Sequence, residues 1–234
     1  MPLKTSIPPQ DQSAYRAAEA AQILALPAGT VKAWTFGHDY QHRDGSPKRF
    51  VKLIAVADPK RRLLSFANLC ELHILAAMRR NHRLPMPTVR DVLDFVGREL
   101  GLERPLIARE FRTNGIDLFI EHAGLLLNAR LRGQAFRGEF ESALQRIDRN
   151  HAGAPVRLFP FTRSTGDLAA QPRVVVIDPL LAFGRPALAR AGVTTAVIED
   201  RFGAGDSPAD MATDYQVEEA EIWEAIRFER RHAA

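Results

Sequence analysis

Two helix-turn-helix patterns lie at opposite ends of this chain, and they carry opposite charge. The first, YRAAEAAQILALPAGTVKAW, begins at Tyr15, and the second, GVTTAVIEDRFGAGDSPADMATDYQVEEAEIWEAI, begins at Gly192. Residues 1–100 hold 15 Lys+Arg and 9 Asp+Glu, whereas residues 173–234 hold 7 and 11. Affinity for DNA comes largely from neutralised phosphates, so only the first pattern has the charge to bind DNA. The second is expected to hold a protein.

Composition sets bounds on the remaining possibilities. The chain has 234 residues, with 46% hydrophobic and 26% charged side chains, which predicts globular domains with buried cores. A single cysteine, Cys70, excludes a disulfide framework and a cysteine-built zinc site. It stands in an apolar helical run, which predicts a buried, inert thiol. No apolar run approaches the ~20 residues that span a bilayer, and residues 1–12 predict a flexible arm without a signal sequence. We expect a cytoplasmic protein without a membrane contact.

The basic pattern predicts a DNA-reading helix. Ser13 is expected to cap a first helix, a turn at 26–29 follows, and Val31 and Trp34 continue on a second helix. The exposed side of the second helix would offer short polar or basic groups to a major groove. These candidate DNA-binding residues are Thr30, Lys32 and Thr35.

A basic hairpin is predicted directly after this pattern. Residues 44–47, Asp-Gly-Ser-Pro, predict a turn between two extended runs, which together form a wing. The candidate phosphate or minor-groove contacts on this wing are His42, Arg43, Lys48, Arg49 and Lys52. The alternative is a plain helical hairpin with a solvated charged face. Helix, turn, helix and wing in consecutive order favour DNA binding over that alternative.

Two further helices are predicted in LSFANLCELHILAAMRRNHRLPMPTVRDVLDFVGRELGL, with Thr88 as the cap of the second. This order, a winged helix-turn-helix, a helix opening with LSF and a helix of the VRDVL type, resembles the DNA-binding domain of MerR-like regulators over residues 13–102. The chain departs from that family in lacking a long coiled-coil helix and a cysteine cluster. Metal sensing is therefore not expected.

The middle segment changes its hydrophobic period. FRTNGIDLFIEHAGLLLNAR predicts two extended runs about a glycine turn, GEFESALQRIDR predicts a helix, and PVRLFPFTR predicts another strand. Such a unit could bridge the two ends of the chain or build a dimer contact. The candidate dimer surfaces are these middle strands and the Leu69 to Met78 helix. The pair Glu121 and His122 is expected to be an exposed polar pair on a strand.

The tail begins with a short strand, Val174 to Ile177, and continues with three predicted helices. Thr194 precedes the first, Ser207 and Pro208 cap and open the second, and the third starts near Val217. The string IDP, FGRP, GAGDSPADMATDY and EIWEAI resembles an uncharacterised helix-turn-helix-like family of predicted antitoxins. Together with the MerR-like N-terminal domain, this string makes the whole chain resemble the longer VapB-type antitoxins of that family.

This resemblance implies a function without chemistry, in which the protein neutralises a toxin and represses the shared operon. The toxins paired with this family resemble PIN-type ribonucleases, whose active centre is a carboxylate cluster around Mg²⁺. Basic residues at the end of the chain are candidates to enter such a cluster, since an arginine fork matches a carboxylate pair. They are Arg227, Arg230 and Arg231. Alternatively, these arginines only complement the last helical turn.

The sequence therefore predicts an α+β, mainly helical protein with four parts. They are an arm (1–12), a MerR-like winged helix-turn-helix domain (13–102), a small α+β bridging region (103–172) and an acidic three-helix module (173–234). The expected partners are operator DNA, a PIN-type ribonuclease toxin and a second copy of the chain. No catalytic motif, cofactor site or metal site is predicted. The alternatives are a ligand-responsive transcriptional regulator and a structural adaptor.

Overall fold

The chain folds as an α+β protein in the computed structural model, which describes residues 6–42, 44–82, 85–127, 133–163 and 168–231. The helices in these ranges are α1 (Ala17–Leu24), α2 (Ala28–Phe36), α3 (Phe66–His82), α4 (Met86–Leu100), α5 (Ile116–Leu127), α6 (Gly133–Gln145), α7 (Thr195–Ala204), α8 (Pro208–Tyr215) and α9 (Glu219–Arg230). The strands are β1 (Ser13–Arg16), β2 (His38–Gln41), β3 (Pro47–Phe50), β4 (Leu63–Ser65), β5 (Ile147–Arg149), β6 (Pro155–Leu158), β7 (Val175–Val176) and β8 (Ala187–Leu188). They form four antiparallel pairs: β1–β4, β2–β3, β5–β6 and β7–β8.

The first helix begins later than the sequence predicts. Ser13 pairs with Ser65 in the β1–β4 ladder, so it does not cap α1, and that prediction is wrong. The helix starts at Ala17, where the Glu19 carboxylate accepts a 2.7 Å hydrogen bond from the backbone N–H of Arg16. This bond satisfies one of the free amides at the helix start.

Helix α3 is the centre of the fold. From Phe66 to Met78 its side chains are buried on every face, with relative exposures of at most 5%. A helix that is buried all round lies inside a core and has no face left for a partner. The expectation that the Leu69 to Met78 helix provides a dimer contact is therefore wrong.

Helix α4 begins two residues before the predicted cap at Thr88. Pro85 occupies the N-cap position and Pro87 lies in the first turn, where a missing N–H costs no hydrogen bond. Thr88 therefore lies inside the helix. The predicted apolar face is confirmed, with Val89, Val92 and Val96 fully buried.

The middle segment is helical where strands were predicted. A π turn covers Phe111–Gly115 and α5 follows at once, so the prediction of two extended runs is wrong. Glu121 and His122 consequently lie on a helix, and the His122 ring stacks on Phe95 at 3.9 Å. The predicted helix is present as α6, except that its last predicted residues, 147–149, form β5. The predicted final strand is present as β6.

Two main cores organise these elements. The larger core runs from Tyr15 to Ile177, so it crosses residue 102 and joins the helix-turn-helix to the middle segment. A second core lies within the C-terminal module, around Leu188, Ile198 and Ile222. The predicted cap of α8 is confirmed, since Ser207 accepts a hydrogen bond from Asp210 N–H. Thr194 also caps its helix, α7, by accepting a hydrogen bond from Val197 N–H.

None of the described helices combines the length and apolar character that crossing a membrane requires.

The junction between α2 and the β2–β3 hairpin generates a stability prediction. Gly37 has φ +69°, and a Cβ there would lie 2.5 Å from the Phe50 carbonyl oxygen. Gly37→Ala should therefore lower the free energy of unfolding by more than about 1 kcal/mol, measured by urea denaturation. Gly29→Ala is the matched control, because a Cβ on that α2 residue meets nothing within 4 Å. Equal stability of the two variants would contradict this account.

Candidate functional site

Helix α2 lies against α1 through two fully buried side chains, Val31 and Trp34. The turn between the helices is tight because Ala25 adopts a left-handed conformation (φ 52°) and Leu26 N–H donates to the Ala21 carbonyl at 2.9 Å. The outer side of α2 presents Lys32, which is exposed, and Thr30, which is partly buried. This is the geometry in which a second helix can enter a groove of DNA.

The expectation that Thr35 is exposed is wrong. Thr35 is fully buried, and its hydroxyl donates a 2.7 Å hydrogen bond to the Val31 carbonyl. Residues four apart lie on the same helical face, so Thr35 shares the core-facing side with Val31. Its polar group is satisfied inside the helix and is not available to DNA.

The predicted wing is confirmed as a hairpin of β2 and β3. Its turn is closed by Asp44, whose carboxylate accepts hydrogen bonds from the amide and hydroxyl of Ser46 at 2.9 and 2.6 Å. These bonds hold the pKa of Asp44 below its usual value. His42 lies 3.1 Å from the same carboxylate, and both side chains are exposed. Arg43, a predicted contact, lies outside the described residues.

The basic residues of the wing divide over its two faces. Lys48 pairs with Tyr40 across the hairpin, whereas Arg49 pairs with Asp39, and the Arg49 and Asp39 side chains approach to 3.9 Å. Successive side chains of a strand point to opposite faces, so one face carries Lys48 and the other carries Arg49 with its carboxylate. Lys52 is exposed just beyond β3.

Contacts that the sequence analysis missed fix the wing to the helices. The Leu53 N–H donates to the Trp34 carbonyl at 2.7 Å, and the Arg90 guanidinium donates to the Val51 carbonyl at 2.6 Å. Arg90 also lies over the Phe50 ring at 5.2 Å. In the sequence, Arg90 is one arginine on a helix with an amphipathic pattern. That pattern does not predict which group the arginine contacts. The wing is therefore held in a fixed orientation relative to α2.

The C-terminal arginines are engaged within the chain. Arg227 forms an ion pair with the buried Glu224, and Arg230 lies 2.9 Å from Glu199 and over the Phe202 ring. Burial raises the pKa of Glu224, but hydrogen bonds from Arg163 and Thr162 outweigh it and leave that pKa below its usual value. The guanidinium groups of Arg227 and Arg230 remain about half exposed.

Arg231 joins the two ends of the chain. Its guanidinium donates hydrogen bonds to the carbonyl oxygens of Phe161, Gln22 and Ile23. Gln22 and Ile23 lie in the last turn of α1, where carbonyls lack partners within the helix and a cation complements the helix dipole. This geometry matches the helix-complementing alternative for Arg231, although the helix it complements is α1.

Phe183 occupies a strained turn in the C-terminal module. Ala182 and Phe183 have φ of 48° and 56°, a left-handed conformation that costs L-residues roughly 1–2 kcal/mol each. The Phe183 side chain is nevertheless 96% exposed. The turn opens at Asp178, whose carboxylate accepts the Leu180 N–H at 2.8 Å.

The described residues contain no group of three or more His, Cys, Asp or Glu side chains arranged to hold a metal ion. Cys70 is buried as predicted, and its burial raises the pKa of the thiol. The groove beside β5 and β6, whose described lining includes Arg149, Arg157 and Asp148, has no aromatic side chain among those residues. It therefore lacks the aromatic lining expected of a ligand-sensing site.

Comparisons with known proteins agree with the division into two ends. Residues 13–93 match the family described as "Putative DNA-binding HTH domain", and residues 175–228 match the family described as "Protein of unknown function (DUF433)". The chain is 25% identical to a Mycobacterium tuberculosis protein named "Putative antitoxin VapB45", in a match covering 92% of this chain and 93% of that one. It is 22% identical to the uncharacterised protein Rv2308 of the same organism, covering 95% and 92%.

A solved structure shares the fold. The crystal structure of Rv2018 from Mycobacterium tuberculosis superposes with a TM-score of 0.66 at 24% identity, covering 96% of this chain and all of that one.

The contacts of Arg231 generate the second prediction. Arg231→Ala should lower the free energy of unfolding by about 2 kcal/mol or more, since hydrogen bonds to charged groups contribute about 1.5–3 kcal/mol. Arg230→Ala, which removes an exposed ion pair at the same helix end, should cost less than about 1 kcal/mol. Thermal and urea denaturation of the full chain measure both. A smaller loss of stability for Arg231→Ala than for Arg230→Ala would show that the hydrogen bonds of Arg231 do not hold the two ends of the chain together.

Proposed function

We propose that this chain is a DNA-binding regulator of the antitoxin type. Its N-terminal helix-turn-helix and wing repress an operon, and the protein neutralises a ribonuclease toxin by direct binding. The observation that carries the proposal is the basic outer surface of α2 and the wing, held rigidly on a segment that matches a helix-turn-helix family. The name of the relative VapB45 supports the antitoxin part.

The DNA-binding mode is MerR-like. Helix α2 enters the major groove with Thr30 and Lys32, while the wing contacts flanking phosphates. Of the two wing faces, the one with Lys48 meets DNA, because the other brings the Asp39 carboxylate toward the phosphates. His42 and Lys52 contribute at the edges of this surface, and Arg43 is included from the sequence alone. Operator half-sites are usually read by two-fold dimers, so the active species is a homodimer.

The neutralised toxin is a PIN-type ribonuclease, contacted at its carboxylate cluster. Arg227 and Arg230 are the candidates for this contact, since their guanidinium groups are half exposed and could exchange one carboxylate partner for another. Arg231 is the weaker candidate because its donors already serve three backbone carbonyls.

Binding of the full chain to a DNA duplex taken from the region upstream of its own gene tests the DNA-binding part of the proposal. By fluorescence anisotropy with the full chain, Lys32→Ala and Lys48→Ala should each weaken binding and reduce the slope of log K against log salt by about one unit, the loss of one phosphate contact. Arg49→Ala is the matched control on the opposite wing face and should change binding less than Lys48→Ala. Equal effects of the two wing variants would reject the chosen face, and no binding by the unmodified chain would reject the function.

Inhibition of the product of the neighbouring gene tests the toxin part. If that product is a nuclease, the full chain should silence it at equimolar ratio. Arg227→Ala or Arg230→Ala should cost roughly 2–5 kcal/mol of affinity if the arginine is buried against carboxylates. Arg190→Ala, an exposed arginine of the same module, is the control. Full inhibition by both variants would show that the arginines are not the contact, and no inhibition by the wild type would reject the antitoxin role.

A further inference from the structure

Phe183 is the most exposed large apolar side chain of the described residues, and its backbone is strained. Its exposure is 96%, and Leu180 in the same turn is 82% exposed. Bulky residues rarely adopt the left-handed conformation that Phe183 shows. The ring gains no burial within the chain in return for this strain. Strain of this kind is found where a conformation serves binding, which indicates a use outside the chain's own cores.

The turn is fixed by hydrogen bonds on both sides. Leu181 N–H donates to the Asp178 carbonyl at 2.9 Å, and Gly184 N–H donates to the Leu181 carbonyl at 2.9 Å. Tyr15, in β1 of the N-terminal helix-turn-helix part, donates a hydrogen bond from its hydroxyl to the Gly184 carbonyl at 3.0 Å. Gly184 has φ +76°, and a Cβ there would lie 2.2 Å from that hydroxyl oxygen. The backbone that carries the exposed ring is thus fixed, which lowers the entropy cost of ordering the turn on binding.

A cavity of about 440 Å³ lies beside Phe183 on the same surface. It is bounded by α1, by the start of α7 and by the end of α9, and its apolar lining includes Ile23, Pro186 and Phe228. The exposed ring and the cavity are therefore adjacent. In a two-fold contact, the same surface of each protomer meets its copy, so each protomer offers its ring to the other's cavity.

The charges around the turn are balanced. Among the described residues, the groove on the Leu180 side is lined by three arginines and two carboxylates: Arg149, Arg157, Arg173, Asp148 and Asp178. The cavity on the Phe183 side is lined by one arginine and two carboxylates: Arg185, Glu19 and Glu229. The two linings are therefore balanced only when they are taken together. A copy of this surface therefore meets another without net repulsion. A strongly charged partner, nucleic acid included, would find no net attraction here.

We propose that the Leu180 to Pro186 turn and its adjoining cavity form the two-fold contact with a second copy of this chain, with Phe183 of one protomer seated in the cavity of the other. The proposal rests on the homodimer invoked for operator binding, and it names the surface that builds that dimer. The contact lies on the joint between the helix-turn-helix and the C-terminal module, so it sets the spacing of the two DNA-reading helices.

Sedimentation of the full chain at micromolar concentration tests the contact. The wild type should be a dimer, and Phe183→Glu should weaken the dimer at least tenfold, because a carboxylate would enter an apolar cavity. Leu125→Glu is the control, since Leu125 on α5 is also a highly exposed apolar residue, at 69%. It should remain dimeric. A monomeric wild type, or a Phe183→Glu variant that dimerises as the wild type does, would overturn the proposal.

A second pair of variants tests the cavity. Ala196 and Val197 are adjacent exposed residues of α7, but only Ala196 lines the cavity. Ala196→Trp should fill the cavity and weaken the dimer, whereas Val197→Trp should not. Phe183→Gly relieves the left-handed strain and should leave the melting temperature of the dissociated protein unchanged or higher. A lower melting temperature would assign the ring to the chain's own fold and overturn the proposal.

Duplex binding by the same samples separates this contact from the proposed function. A monomeric wild type that still binds duplex would leave DNA binding in place and remove only the dimer contact. A dimeric wild type that responds to Phe183→Glu but does not bind duplex would keep the contact and remove the proposed function.

Discussion

The fold depends on the burial of one helix on all sides. Helix α3 contacts α1 and β1 in the helix-turn-helix part, and it contacts α6 in the middle segment. Two of its buried polar residues are linked within the core: Asn68 donates to Glu71 at 2.9 Å, and Glu71 accepts from Arg104 at 2.6 Å. Unpaired polar groups at this depth would be costly, so this network fixes the position of α3 as firmly as its apolar packing does. The helix-turn-helix elements are therefore built on a helix that also packs against the middle segment.

The sequence predicted those elements whose signals are local. Ser207 was predicted to cap a helix, and it caps α8 by a hydrogen bond to a residue only three positions later. The turn of the wing followed from Asp44, Gly45 and Ser46 for the same reason, because its hydrogen bonds join neighbouring residues. The apolar face of α4 was also predictable, since its helical period is regular.

Predictions failed where a distant contact decides the structure. Ser13 has the chemistry of a cap, but the pairing of β1 with β4 takes it into a strand. The segment at 111–127 has the apolar and β-branched content of strands, yet Phe111 and Phe119 pack with Phe140 of α6 as parts of a helical layer. The location of Thr35 on the core side of α2 depends on which face α1 covers, and the strain at Phe183 has no sequence signal beyond an adjacent glycine. The candidate site was thus predictable as a region but not as a set of exposed atoms.

The hydrogen bonds from Arg231 to the last turn of α1 can form only late in the synthesis of the protein. The donor is the fourth residue from the end of the chain, and its acceptor Ile23 lies 208 residues earlier. Chains emerge from the ribosome with the N-terminus first, and earlier parts begin to fold while later parts are still being made. The last turn of α1 therefore lacks this partner until the C-terminal module has been made. A chain that stops before Arg231 leaves the helix-turn-helix part without this support.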